Sequence, residues 1–238
     1  LVTGVQTCAL PISGYPEMQK TLQELVRNKL TSVQRIEVAS DQFGNQDVVA
    51  SVLQRDANAI RMTAEALDRT QMTRAVGAIL RARCIYIVGV RSSAALANYL
   101  NFYFRNIFEN VRLVSSTATS EMFEQLLRVG KGDVVIGICF PRYSELALKT
   151  IHFAKDRGAT IVGVTDSEMS PINQMSSCSL LVRNEMISFV DSLAAPMSML
   201  NALILAAAHK QGTDISATFN ELEHVWDRFG IFGKVEDE

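Results

Sequence analysis

The feature that most constrains this chain is a series of near-continuous apolar runs of strand length, each separated from the next by a helical pattern, beginning after Arg83. Strands are expected over 84–90, 111–114, 133–140, 160–165 and 179–182, with helices over 92–108, 120–129 and 144–157 and a short turn after Ser170. The central runs do not alternate apolar with polar residues, so both faces of the sheet must be covered. Helical crossovers of this length return the chain to start a parallel neighbour. The expected class is α/β, a three-layer αβα domain on a five-stranded parallel sheet. Lys131-Gly132-Asp133 and Arg157-Gly158-Ala159 supply the turns that end helices and launch strands.

Upstream, Gly14-Tyr15-Pro16-Glu17 places a proline and an acid at a helix start, and Leu22, Leu25, Val26 and Leu30 follow at helical spacing to about Lys29. The polar stretch 38–47, with Gly44-Asn45, reads as a linker. Val49, Val52, Leu53, Ile60 and Leu67 then form the stripe of a long helix, and a second helix covers 71–81. Two helices are expected at the far end, 189–211 and 216–229. Leu193, Met197, Leu200, Leu203, Ile204 and Leu205 leave the first of them little polar face, which requires burial in the core or in a subunit interface. Residues 1–13 lack the basic start and apolar centre of a signal peptide and read like translated adapter sequence, so they are expected to be non-native, the alternative being a native strand or arm. The chain therefore divides into segments 1–13, 14–46 and 47–238.

Composition narrows the function classes. With 238 residues, of which 48% are hydrophobic and 20% charged, the chain can bury a substantial core as a soluble globular protein. A net charge of −2 gives no global basic footprint, so nucleic-acid binding would have to come from a local element or from a part of the protein outside this sequence. Cys8, Cys84, Cys139 and Cys178 lack CxxC or zinc-like spacing and read as free thiols in a reducing cytosol. The apolar stretch 198–208 is too short to span a bilayer, so no membrane segment is expected. His152, His209 and His224 have no ligand-like spacing, which argues against a metal. Gly89-Val90-Arg91 breaks the GxGxxG pattern and no acid ends the following strand, which argues against a dinucleotide; no cofactor is expected.

Two of the strands end in loops that carry chemistry. The run 85–89 is followed by Val90-Arg91-Ser92-Ser93, and the run 134–138 by Cys139-Phe140-Pro141-Arg142-Tyr143-Ser144, each just before a helix. In a parallel sheet both loops open on one edge, where free backbone N–H groups and helix dipoles favour an anion. Arg91 and Arg142 add guanidiniums suited to two-pronged binding, and Ser92, Ser93, Tyr143 and Ser144 add hydroxyls. Pro141 removes one N–H donor and stiffens the second loop. The structural alternative is that Ser92 and Ser144 only cap their helices. Thr165-Asp166-Ser167 lies on the same edge and reads as a turn or cap. An isomerase would want a base beside the pocket; Glu145 is adjacent but sits where helix starts favour acids.

From about Asp47 to Gly230 the chain resembles the SIS (sugar isomerase) domain of RpiR-type transcriptional regulators, on the strand Ile85 to Gly89 with its Ser92-Ser93 loop, the 140–144 loop, the run 158–167 and Ser170-Pro171. The Gly14-Tyr15-Pro16-Glu17 helix resembles the end of that family's helix-turn-helix domain, so 14–46 would be the end of that domain and its linker, and 47–238 the effector-binding and oligomerisation domain. In the family the first loop usually reads Gly-x-Gly-x-Ser and the second Ser-x-Ser-Gly-x-Thr, holding a sugar phosphate. Ser93 matches the first serine and Ser144 the threonine; Cys139 and Pro141 stand at serine positions, and Arg91 and Arg142 replace glycines. The resemblance implies a cytoplasmic homodimer or homotetramer that senses a small anionic metabolite, a phosphosugar or a sugar acid, with DNA as the partner of the full-length parent. A sugar-phosphate isomerase and an oligomerising SIS module without a ligand are the competing readings.

Overall fold

The computed structural model describes residues 30–43, 47–115, 118–184, 186–212 and 214–232. In chain order these form α1 (Ser32–Phe43), α2 (Val48–Glu65), α3 (Arg69–Leu80), β1 (Ile85–Gly89), α4 (Ser93–Phe104), β2 (Val111–Val114), α5 (Thr119–Gln125), β3 (Val134–Ile138), α6 (Glu145–Asp156), β4 (Thr160–Thr165), α7 (Pro171–Met175), β5 (Cys178–Leu181), α8 (Ala194–Gln211) and α9 (Asp214–Phe229). The expected segment 1–13 and the helix ending near Lys29 lie outside the described residues.

All five strands pair in parallel, in the order β2-β1-β3-β4-β5. Successive side chains of a strand point to opposite faces, so each strand feeds two cores. Ile85, Ile87, Ile136 and Val162 pack with Leu96 and Leu100 of α4, Val76 and Ile79 of α3 and Leu200 and Leu203 of α8. Tyr86, Val88, Val135 and Ile161 pack on the other face with Met122, Ile151 and Ile172. The fold is thus the expected three-layer αβα sandwich. Carboxylates start α2 and α3: Asp47 accepts from the N–H groups of Val49 and Ala50, and Asp68 from those of Thr70 and Gln71.

Three boundaries differ from expectation for identifiable reasons. Residues 38–43 are not linker but the second half of α1, which buries Arg35 and Ala39 while Val33, Ile36 and Val38 stay exposed, the inverse of an ordinary amphipathic helix. The expected helix 189–211 begins only at Ala194; there the Ser192 hydroxyl accepts from the Ala194 N–H at 3.2 Å and donates to Asp56 at 2.6 Å, and Pro196 falls in the first turn, where its missing N–H costs nothing. Before it, Met186 and Asp191 form a single antiparallel bridge. β3 ends at Ile138 although Cys139 and Phe140 remain buried, since burial extends past the last pair with β1. Cys84, Cys139 and Cys178 are free thiols, and no helix among the described residues is long and apolar enough to cross a membrane.

Candidate functional site

β1 and β3 are neighbours, with Gly89 paired to Ile138, yet the chain leaves β1 toward β2 on one side and returns to β3 on the other. The loops after these strands therefore diverge where the strand order reverses, and a crevice opens between them at the carboxyl ends.

In the first loop, α4 comes so close to β1 that a Cβ added at Gly89 would lie 2.5 Å from the Ser93 carbonyl oxygen and 2.8 Å from the Ala97 Cβ. The chain then turns through Arg91 at φ 58°, a left-handed conformation that costs a non-glycine residue about 1 kcal/mol. Keeping arginine where a glycine would relax the backbone points to a role for its side chain. Its carbonyl accepts from the Ala94 N–H at 3.0 Å, but among the described residues the Arg91 guanidinium has no hydrogen-bond or ion-pair partner. Ser92 makes no side-chain capping bond, so its hydroxyl is not used by α4, and Ser93 is buried at the helix start.

In the second loop the Cys139 N–H reaches the Val164 carbonyl at 3.1 Å, holding the loop against β4. Burial pushes the Cys139 thiol up to about 11 despite an opposing contact from the Ser144 backbone, so the sulfur stays neutral and is no nucleophile at neutral pH. Ser144 caps α6, its Oγ accepting from the Ala147 N–H at 3.4 Å.

Arg91, Ser92, Ser93, Arg142 and Ser144 all line one cleft of about 200 Å³. Tyr143, expected with them, does not line it; its phenol donates to Asp166 Oδ1 at 2.8 Å, a carboxylate that also accepts from the Thr165 hydroxyl at 3.1 Å at the end of β4. Tyr143 is thus drawn to the neighbouring strand by a better acceptor than the cleft offers. Ser167 does a turn's work, accepting from the Met169 N–H at 3.2 Å.

Sequence reasoning missed four lining residues: Ser32 and Arg35 of α1, and Phe189 and Asp191 of the segment before α8. Arg142 Nη2 donates to the Ser32 hydroxyl at 3.3 Å, and Arg35 Nη1 meets Asp191 Oδ1 at 2.8 Å. No local pattern signals the meeting of Arg35 and Asp191, which are 156 positions apart. The lining sets three guanidiniums against one carboxylate that is already paired. Among the described residues it offers no acid–base pair: Glu145 faces Lys149 at 3.7 Å on the exposed side of α6, and His152 pairs with Asp156 at 2.9 Å along the same helix. A larger cleft of about 380 Å³ beside α3, α7 and β5 is lined by Asp68 and Glu168 and, among the described residues, by no lysine or arginine, a poor place for an anion. Among the described residues no His, Cys, Asp and Glu cluster could hold a metal ion.

The SIS domain profile matches residues 78–206. An uncharacterized HTH-type transcriptional regulator of Caldanaerobacter subterraneus subsp. tengcongensis is 27% identical over 179 residues, covering 72% of this chain and 63% of that protein, so the chain spans less than two thirds of that relative's length. The sugar isomerase domain of an RpiR transcription factor from Sphaerobacter thermophilus superposes with a TM-score of 0.71 at 21% identity, over 75% of this chain and 99% of that one. Vibrio vulnificus NanR complexed with ManNAc-6P superposes with a TM-score of 0.68 at 17% identity, over 94% of this chain and 78% of that one. A phosphoheptose isomerase shares the fold too.

Proposed function

The chain belongs to the SIS-domain family, and from that premise we propose that it is the effector-binding part of a bacterial transcriptional regulator that senses a small anionic metabolite, a sugar phosphate or a sugar acid. One observation carries the reading: two adjacent strand-end loops at the sheet's reversal point deliver Arg91, Ser92, Ser93, Arg142 and Ser144 into one cleft. Guanidiniums bind carboxylate and phosphate oxygens in a two-pronged way, and the hydroxyls complete the shell. The HTH-type relative and the ManNAc-6P ligand of NanR support the same class.

In this reading residues 14–46 are the end of a helix-turn-helix domain and 47–238 the sensor, the protein works in the cytoplasm as a homo-oligomer, and DNA is bound by the full-length parent. Exposed Val49, Leu53, Phe102 and Leu205 suit contacts between copies. The effector acts by its differential affinity for two arrangements of subunits or domains. The isomerase alternative has the fold of phosphoheptose isomerase in its favour but finds no acid–base pair among the described residues of the cleft.

The test is a thermal-shift screen of the whole chain against phosphosugars, sugar acids and dicarboxylates, because an anion that binds the native state must raise Tm. At least one class should do so, and Arg142→Ala should abolish the rise while the circular dichroism spectrum is unchanged. No rise with any class would overturn the sensor reading. Robust turnover of a phosphosugar would overturn the regulator in favour of the enzyme.

A further inference from the structure

Arg35 is the least expected residue at the cleft. It is a charged side chain only 4% exposed, on a helix that otherwise buries just Ala39 among its described side chains. One edge of its guanidinium is held, with Nη1 on Asp191 Oδ1 at 2.8 Å. The Nε atom, on the other edge, is buried and has no hydrogen-bond partner among the described residues. A buried N–H of a charged group left unmade is costly, so a position where it persists beside an open polar cleft is one that an acceptor can fill. Arg35 lines that cleft together with Arg91 and Arg142.

We propose that Arg35 is the third arm of the anion site. An oxygen of the bound anion accepts from its Nε–H while Asp191 keeps the guanidinium in place, so the anion fastens α1 to the carboxyl edge of the sheet. Arg35 is then a binding residue and Asp191 a positioning residue. The inference rests on the anion-sensing reading above and adds how occupancy is transmitted. Among its described side chains α1 has few apolar anchors, since Val33, Ile36 and Val38 face solvent, and its polar ties there converge on the cleft, through Arg35 to Asp191 and through Ser32 to Arg142. A helix held mainly by polar contacts at one site is docked or loosened according to what fills that site, by the difference in anion affinity between the two states.

The experiment uses the whole chain with inorganic phosphate as the probe, by calorimetric titration and by amide hydrogen exchange. Arg35→Ala is expected to weaken phosphate binding by about tenfold or more, the scale of one hydrogen bond to a charged group. Arg35→Lys keeps the charge but not the planar fork and should lie between the two. In the unmutated protein, saturating phosphate should slow amide exchange over 32–43, and Arg35→Ala should remove that slowing. If Arg142→Ala abolishes binding while Arg35→Ala and Arg35→Lys stay within about twofold of the parent, or if exchange over 32–43 does not change on saturation, the third-arm proposal falls and the anion site stands. If the parent binds no phosphate, or Arg142→Ala binds it as well as the parent does, the anion site itself falls and this inference with it. Should Arg35→Ala fail to fold, Arg35→Lys and the exchange measurement on the parent still decide.

Discussion

At the amino ends of β1 and β3, Arg83 and Asp133 close on each other: Nε and Nη2 meet Oδ1 and Oδ2 at 2.9 and 2.8 Å, and the Gly130 N–H adds a third bond to the buried carboxylate at 2.9 Å. At the carboxyl ends of the same two strands, the Arg91 guanidinium has no partner among the described residues and that of Arg142 has only a 3.3 Å contact to a serine hydroxyl there. One end spends its arginine on an internal acid, and the other leaves its arginines facing a cleft. The residue type is shared, so what separates structure from binding is whether a matching carboxylate is built in. Arg35 stands between the cases, with one edge of its guanidinium closed on Asp191 and Nε, on the other, buried without a partner among the described residues.

The largest effect should fall at the closed end. Asp133→Ala is expected to lower stability by about 2 kcal/mol in urea unfolding, less than for a fully buried pair because Arg83 is mostly exposed and keeps water as a partner. Anion affinity of the folded protein should stay within about twofold, and a large loss of affinity would mean that the two ends are not independent. At the open end the pattern should reverse. Arg91→Gly relieves the left-handed backbone at φ 58°, so stability should hold or rise slightly while phosphate affinity drops about tenfold, or about 1.4 kcal/mol. A loss of stability with unchanged affinity would make Arg91 structural.

Ser144→Ala probes a residue with a foot in both roles. Loss of the α6 cap should cost about 1 kcal/mol, with a few-fold loss of affinity in the same titration; if only stability falls, the serine caps and does not bind. The smallest effect is on pH dependence. Burial alone would raise the Asp133 carboxyl, but its bonds from Arg83 and the Gly130 N–H outweigh that and hold it below its ordinary value. A depressed folded-state pKa gives stability that is complete above the unfolded value and is lost as protons bind. Unfolding midpoints should therefore fall as the pH drops through about 4 and below, and Asp133→Asn should flatten that slope.

Much of the architecture was legible before any coordinates. Apolar runs without alternation implied covered strands, and β1 through β5 lie where the runs lie, because burial on both faces imposes a local, readable composition. The two loops were legible because a parallel sheet puts all its strand ends of one sense on one edge. Tyr143 lies outside the cleft, and its position in sequence does not reveal that its phenol reaches the Asp166 carboxylate just past the end of β4. α1 was misread for a sharper reason: it buries an arginine and exposes three apolar residues, so hydrophobic periodicity points the wrong way.

The sequence by itself determined the fold class and the edge of the sheet that carries hydroxyls and guanidiniums, since each follows from neighbours within a strand, a loop or a helix turn. Only the tertiary structure decided that β1 and β3 flank the reversal point and that α1 and the segment before α8 close the cleft. Contacts such as Arg35 with Asp191 are set by the packing of whole elements against one another, and no spacing along the chain encodes them.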